Sequence, residues 1–254
     1  MGGWRVPRWA LAALIVAALA GVIAIVVGPF AVPSRTDEGA ADMPSQPSQS
    51  PLPSAATPAT TGSTLPAAVT PVRYYQFDKK WAKQRYGPNS DDTVRRWGCG
   101  PAALAMVIST LADPTVDPRV AAAWSDKHGY FTHAPESGKT EPAYFADFAS
   151  SYGIAVRQLN TKDLRTSPPA SSRSVKLRAQ QAVREGNWVI ALMGKGLWTT
   201  EAHYVLWYRA EGDEVWIADS NSMREDKAHN TFDTFSQTMI RLWVVEVADA
   251  GVRQ

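Results

Sequence analysis

The chain has one cysteine, Cys99, in 254 residues. With no second thiol it cannot close a disulfide within itself, so its folded part must be held by burial and hydrogen bonding. It also lacks a surplus of either charge. Lys and Arg number 26 against 24 Asp and Glu, a net +2, which leaves no basic face to follow a phosphate backbone and no acidic tail. Nucleic acid is therefore not an expected partner. Two stretches lack something more specific: residues 9–32 carry no charge, and residues 33–71 have no aromatic residue and almost no β-branched aliphatic one.

The uncharged stretch is long enough to cross a bilayer, which takes ~20 apolar residues where a signal-peptide core takes only ~7–15. Arg5 and Arg8 precede it and Asp37 and Glu38 follow, so the positive-inside bias keeps the N-terminus cytoplasmic and exports what comes after. Residues 1–32 are expected to be a transmembrane signal anchor, with cleavage and secretion as the alternative. Residues 33–71 cannot bury enough apolar surface to offset chain entropy and are expected to be a disordered tether rich in Pro, Ser and Thr. Residues 72–254 suit a single globular domain, placed outside the cytoplasm at the cell membrane.

A lone thiol in an exported domain is exposed to oxidation, so its presence asks for a reason. Burial as a small hydrophobe and an intermolecular disulfide are the plain ones. The surroundings of Cys99 favour another. Trp97-Gly98-Cys99-Gly100-Pro101 runs into Ala102–Leu111, whose Leu104, Val107, Ile108 and Leu111 recur at helical spacing. Pro101 suits a first helical turn. Cys99 is thus predicted at a helix N-terminus, where free N–H groups and the helix dipole favour a thiolate and offer donors to an oxyanion. Gly98 and Gly100 leave room for a substrate carbonyl to approach the sulfur.

A nucleophilic thiol needs a base and the base an orienting group. Of His128, His133, His203 and His229, only His203 stands in an unmistakable strand pattern. The runs 203–208 and 215–219 flank Glu211-Gly212-Asp213, a hairpin signal. Positions 203 and 219 average to 211, inside that turn, so His203 and Asp219 are predicted to pair directly and face the same way. Asn221 is the fallback third member. His128 and His133, with Glu136 and Glu141 nearby, match no zinc spacing, and neither a metal nor another cofactor is expected. Most tryptophans read as core, but Trp198, in the loop before His203, is expected to line the cleft.

These residues and their surroundings resemble the papain-like cysteine peptidases of family thirty-nine, the bacteriocin-leader-processing type, and in particular its stand-alone "C-thirty-nine-like" domains. The likeness runs from Val72 to about Met223 through YYQFDKKW (74–81), WGCGPAALAMVIS (97–109), SGKTEPAYFADFASSYGIAVRQL (137–159), WVIALMG (188–194), AHYVLWY (202–208) and VWIADSNS (215–222). It implies an α+β fold in which helices led by the Cys99 helix pack on an antiparallel sheet. It further implies Cys99 as nucleophile, His203 as general base and then acid, Asp219 as orienting carboxylate, and Gln76 as a side-chain donor to the oxyanion hole. The expected activity is hydrolysis of a peptide or other amide bond in a peptide or protein substrate. Two alternatives stay open: acyl transfer from the same acyl-enzyme, and a non-catalytic peptide-binding domain on a membrane tether. Similar domains commonly carry Pro-Asn after the Asp and Gly before the His, where this chain has Ser220 and Ala202.

Overall fold

Six strands form one antiparallel sheet: β1 (Val156–Gln158), β2 (Trp188–Met193), β3 (His203–Glu211), β4 (Glu214–Asp219), β5 (His229–Thr231) and β6 (Met239–Val245), in the spatial order β1-β6-β2-β3-β4-β5. This computed structural model describes residues 69–247. The expected signal anchor over 1–32, and the expected tether over 33–71 apart from its last three residues, lie outside the described residues. Among the described residues no helix is long and apolar enough to cross a membrane.

Every residue of β2 is buried, and the topology explains why. With β6 on one side and β3 on the other, β2 is central, and helices cover both faces of the sheet. Helices α2 (Cys99–Leu111), α3 (Pro118–Lys127) and α4 (Tyr144–Ser150) build the core on one face, where Leu104 and Phe145 join Ile190, Leu192, Tyr204, Leu206 and Trp243. On the other face Ala179 and Val183 of α5 (Pro169–Arg184) and Phe235 of α6 (Phe232–Ser236) cover Val189, Ala191, Val205, Trp207 and Ile217. A strand covered on both faces reads as a continuous apolar run, as WVIALM does, instead of an alternating one.

The stripe predicted for α2 is an understatement: its residues are buried from Cys99 through Ser109. The sheet lies on one side and α3 and α4 on others, so the helix is apolar all round, as a core helix must be. In α4, Tyr144, Phe145 and Phe148 are buried, in keeping with their i, i+1, i+4 spacing. Helix α3 starts where Asp117 accepts from the Arg119 and Val120 N–H groups with Pro118 in the first turn, a side-chain cap of ordinary kind. These supports hold the N-terminus of α2 against one end of the β3–β4 hairpin.

Candidate active site

Cys99 is the first residue of α2, preceded by a short helix α1 (Val94–Trp97) with Gly98 between the two. Its backbone N–H has no acceptor inside the helix, because the carbonyls four residues back belong to α1. Gly98 and Gly100 have a packing reason that the sequence does not display. A Cβ on Gly98 would lie 2.4 Å from the Val94 carbonyl oxygen, and one on Gly100 would lie 2.5 Å from Thr140 Oγ1. These glycines bring α1 and the Thr140 loop against the helix start.

His203 opens β3 and Asp219 closes β4. Their direct pairing is corrected by the structure: Asp219 stands opposite Val205, and His203 is two residues further along. The hairpin tip is Gly212-Asp213, with Glu211 opposite Glu214 and Gly212 at a left-handed φ of +56°. Counted from that tip without interruption, Asp219 would meet Leu206, and His203 would point to the opposite face. A bulge between Trp207 and Arg209 takes up one residue, Tyr208, and moves Asp219 onto Val205. Because side chains alternate with period two, the two-residue offset keeps His203 and Asp219 on one face as diagonal neighbours.

The result is a hydrogen bond of 2.7 Å between His203 Nε2 and Asp219 Oδ1, with the two residues 3% and 2% exposed. A carboxylate accepts only, so Nε2 carries the proton and donates, which leaves Nδ1 for the thiol. The Asn221 backbone N–H donates to the same Oδ1 at 2.7 Å. Burial alone would lower the basicity of His203, and it is the largest single influence. The hydrogen bond to Asp219, together with the Asp219 carboxylate and the neighbouring Cys99 thiol, outweighs it and raises the pKa from 6.5 to about 10. The ring therefore holds its second proton at neutral pH.

This raised pKa links stability to pH. The folded-state value lies above the ordinary ~6.5 of an unfolded histidine, so the stabilisation is fully present below about pH 6.5 and is lost as the pH rises through about 10. Urea unfolding of wild type and of His203→Gln, from pH 6 to pH 10, should show a stability difference that shrinks with rising pH. A difference that stays constant over this range would contradict the pairing.

Gln76 is buried, and it borders a cleft of about 160 Å³ with Cys99, His203, Trp97, Gly138, Asn221 and the 199–202 loop. Its Nε2 donates to the Arg95 carbonyl at 2.8 Å. An amide nitrogen has two hydrogens, so one donor remains. Asn221 is an exposed side chain on the cleft rim.

The expectation that Trp198 lines the cleft is corrected. It is 1% exposed and packs edge-on against Phe235 at 5.2 Å, and its Nε1 donates to the Lys227 carbonyl. An indole with its N–H satisfied is more stable in the core than at a wet cleft, and its neighbours Thr199, Thr200 and Glu201 form the wall instead. The aromatic that does line the cleft, Trp97, is pinned by a bond from Nε1 to Asp92 and by the Arg96 guanidinium 4.8 Å from its ring. Sequence reasoning did not find a second hollow of about 420 Å³. It shares Thr200, Glu201 and Ala202 with the cleft and is rimmed by Glu136, Arg165 and Lys195. Those residues come from four separate segments, and no local motif marks them. A larger groove of about 920 Å³ between α5 and α6 holds none of Cys99, His203 and Asp219, and size without reactive groups gives it no claim to be the site. His128 stacks on Trp124 and His133 meets Phe131 edge-on, both apart from the cleft lining.

Residues 72–244 match the model of the Peptidase_C39 like family. No curated protein matches the chain. Among solved structures, one similar chain is a double glycine motif protease from an AMS/PCAT transporter in complex with the leader peptide. It shares 14% identity over 58% of this chain and 83% of that one, with a TM-score of 0.35. Another is described as a C39-like peptidase from Bacillus anthracis, with 14% identity over 59% of this chain and 89% of that one and a TM-score of 0.39.

Proposed function

This chain belongs to the Peptidase_C39 like family, and on that premise we propose that it is a membrane-anchored, papain-like cysteine hydrolase acting on a peptide or other amide bond outside the cytoplasm. Cysteine peptidase chemistry is the class of activity that the family brings. The single observation that supports assigning it to these side chains is the buried 2.7 Å bond from His203 to Asp219 beside the lone thiol at the start of α2.

The reaction then runs as follows. With its basicity raised by the bond to Asp219, the His203 imidazole takes the Cys99 proton at Nδ1. The sulfur attacks the scissile carbonyl carbon. The electron pair of the C=O π bond moves to oxygen, and this oxyanion is met by the Cys99 N–H and the spare N–H of Gln76 Nε2. As the oxyanion collapses, the C–N bond breaks and His203 returns the proton to the leaving amine. A water, deprotonated by His203, attacks the thioester, the acid product leaves, and the sulfur is regenerated. Asp219 keeps the ring in one tautomer and one orientation throughout.

Labelling of the full-length protein in membranes with a peptidyl acyloxymethyl ketone tests the assignment. Wild type should take up the probe at one site, and Cys99→Ala should take up none. Equal labelling of both, or of neither, overturns it. The anchor rests on the uncharged stretch 9–32 with arginines before it. Protease added to intact cells should remove the domain, and protection until the membrane is breached would reverse the orientation.

A further inference from the structure

Resting on the hydrolase reading, we propose that Ser220 is a positioning residue of the oxyanion hole, its hydroxyl locking the plane of the Gln76 amide. Gln76 is 3% exposed and Ser220 0%. The Gln76 backbone N–H donates to the Ser220 carbonyl at 2.8 Å, which sets the two residues side by side. The Arg95 carbonyl can only accept, so the amide must present its Nε2 there, at 2.8 Å. This orientation turns Oε1 to the other side, where Ser220 Oγ donates to it at 3.0 Å.

One anchor would leave the amide free to swing about the Nε2–Arg95 bond. Two anchors on opposite ends of a planar group define the plane, and with it the direction of the second N–H. A donor to an oxyanion acts through direction and pre-organisation, since it must already point where charge develops. Because both groups are buried, water does not replace the serine hydroxyl, and its donation to Oε1 also polarises the amide toward stronger N–H donation. Proline, which similar domains commonly carry after the Asp, has no hydroxyl to offer. Ser220 follows Asp219 directly, so one short stretch of chain orients both the base and the oxyanion donor.

The test uses a short peptide aldehyde. The Cys99 sulfur adds to its carbonyl carbon, and the oxygen takes up the π electron pair in the oxyanion position. Iodoacetamide, which the sulfur attacks with loss of iodide and no oxyanion, reports the thiolate alone. Gln76→Ala should weaken the aldehyde by about 10²- to 10³-fold, the scale for one lost oxyanion donor. Ser220→Ala and the weak donor Ser220→Cys should each weaken it about tenfold, by loosening that donor without removing it. Ser220→Thr should bind as wild type does, and iodoacetamide should react at the wild-type rate with Ser220→Ala and Ser220→Thr. In the Gln76→Ala background Ser220→Ala should change nothing further. If wild type forms the adduct and Ser220→Ala and Ser220→Cys hold it equally well, or if Ser220→Ala weakens Gln76→Ala further, the proposal falls alone. If wild type forms no adduct, the hydrolase reading falls and takes the proposal with it.

Discussion

His203→Ala is expected to lower turnover by about 10²- to 10⁴-fold, the contribution of a positioned acid–base group, while the protein still folds. The residue sits 3% exposed between a carboxylate and the thiol, so no solvent base can take its place. The substitution also leaves Asp219 with Oδ1 held by the Asn221 N–H and with Oδ2 buried and without a partner. A buried carboxylate that loses its cation destabilises the fold, so folding must be scored beside rate. His203→Gln, which keeps a donor near Asp219, serves as the second variant. The measurement is acylation rate with the peptidyl probe on protein that retains its near-ultraviolet circular dichroism. A folded variant within threefold of wild type would show that His203 is not the base.

Asp219→Asn should act on the same base from one step away, with a loss smaller than that at His203 and a different signature. The carboxylate raises the affinity of His203 for its proton by hydrogen bond and by charge. An amide can accept the bond through oxygen but brings no charge. Losing a charged hydrogen bond is worth about 1.5–3 kcal/mol, or ~10- to 150-fold in rate if all of it is expressed in the transition state. The alkaline limit of the pH–rate profile should move down from about 10 toward the ordinary histidine range, because burial, which opposes the imidazolium, is then less fully offset. A profile with an unshifted alkaline limb would mean that Asp219 has no hold on the base. Loss of rate together with loss of the folded signal would reduce Asp219 to a structural role.

Both expectations depend on a geometry that was only half legible in the sequence. The hairpin was visible because 203–208 and 215–219 are aromatic and β-branched around Glu211-Gly212-Asp213. Its register was not. Locating the turn one and a half residues early gave direct pairing, and the Tyr208 bulge leaves Asp219 opposite Val205 instead. The correct facing followed because the pairing error amounts to two residues, and period two forgives an even shift. Nothing in the string 203–211 announces the bulge, since a bulge is settled by how both strands pack on the rest of the sheet.

Trp198 shows the same division. Its place in the loop before His203 suggested the cleft, but whether an indole faces solvent or core depends on what lies beneath it. The Lys227 carbonyl, 29 residues along the chain, and Phe235, farther still, arrive there from other segments. Ser220 was noticed as a departure from similar domains, yet its link to Gln76 spans 144 residues.

Whereas the α+β class came from the family resemblance, the sequence by itself determined the lone thiol, its place at the start of an apolar helix, and the two strands that hold the histidine and the aspartate. Each of these is written in nearest-neighbour chemistry: capping and turn residues, helical spacing, β-branched runs. Tertiary structure alone decided the bulge that aligns His203 with Asp219, the clash-free approach that requires Gly98 and Gly100, the clamp on Gln76 and the burial of Trp198. Those depend on distances between segments far apart in the chain, and packing sets such distances only once the whole core has closed.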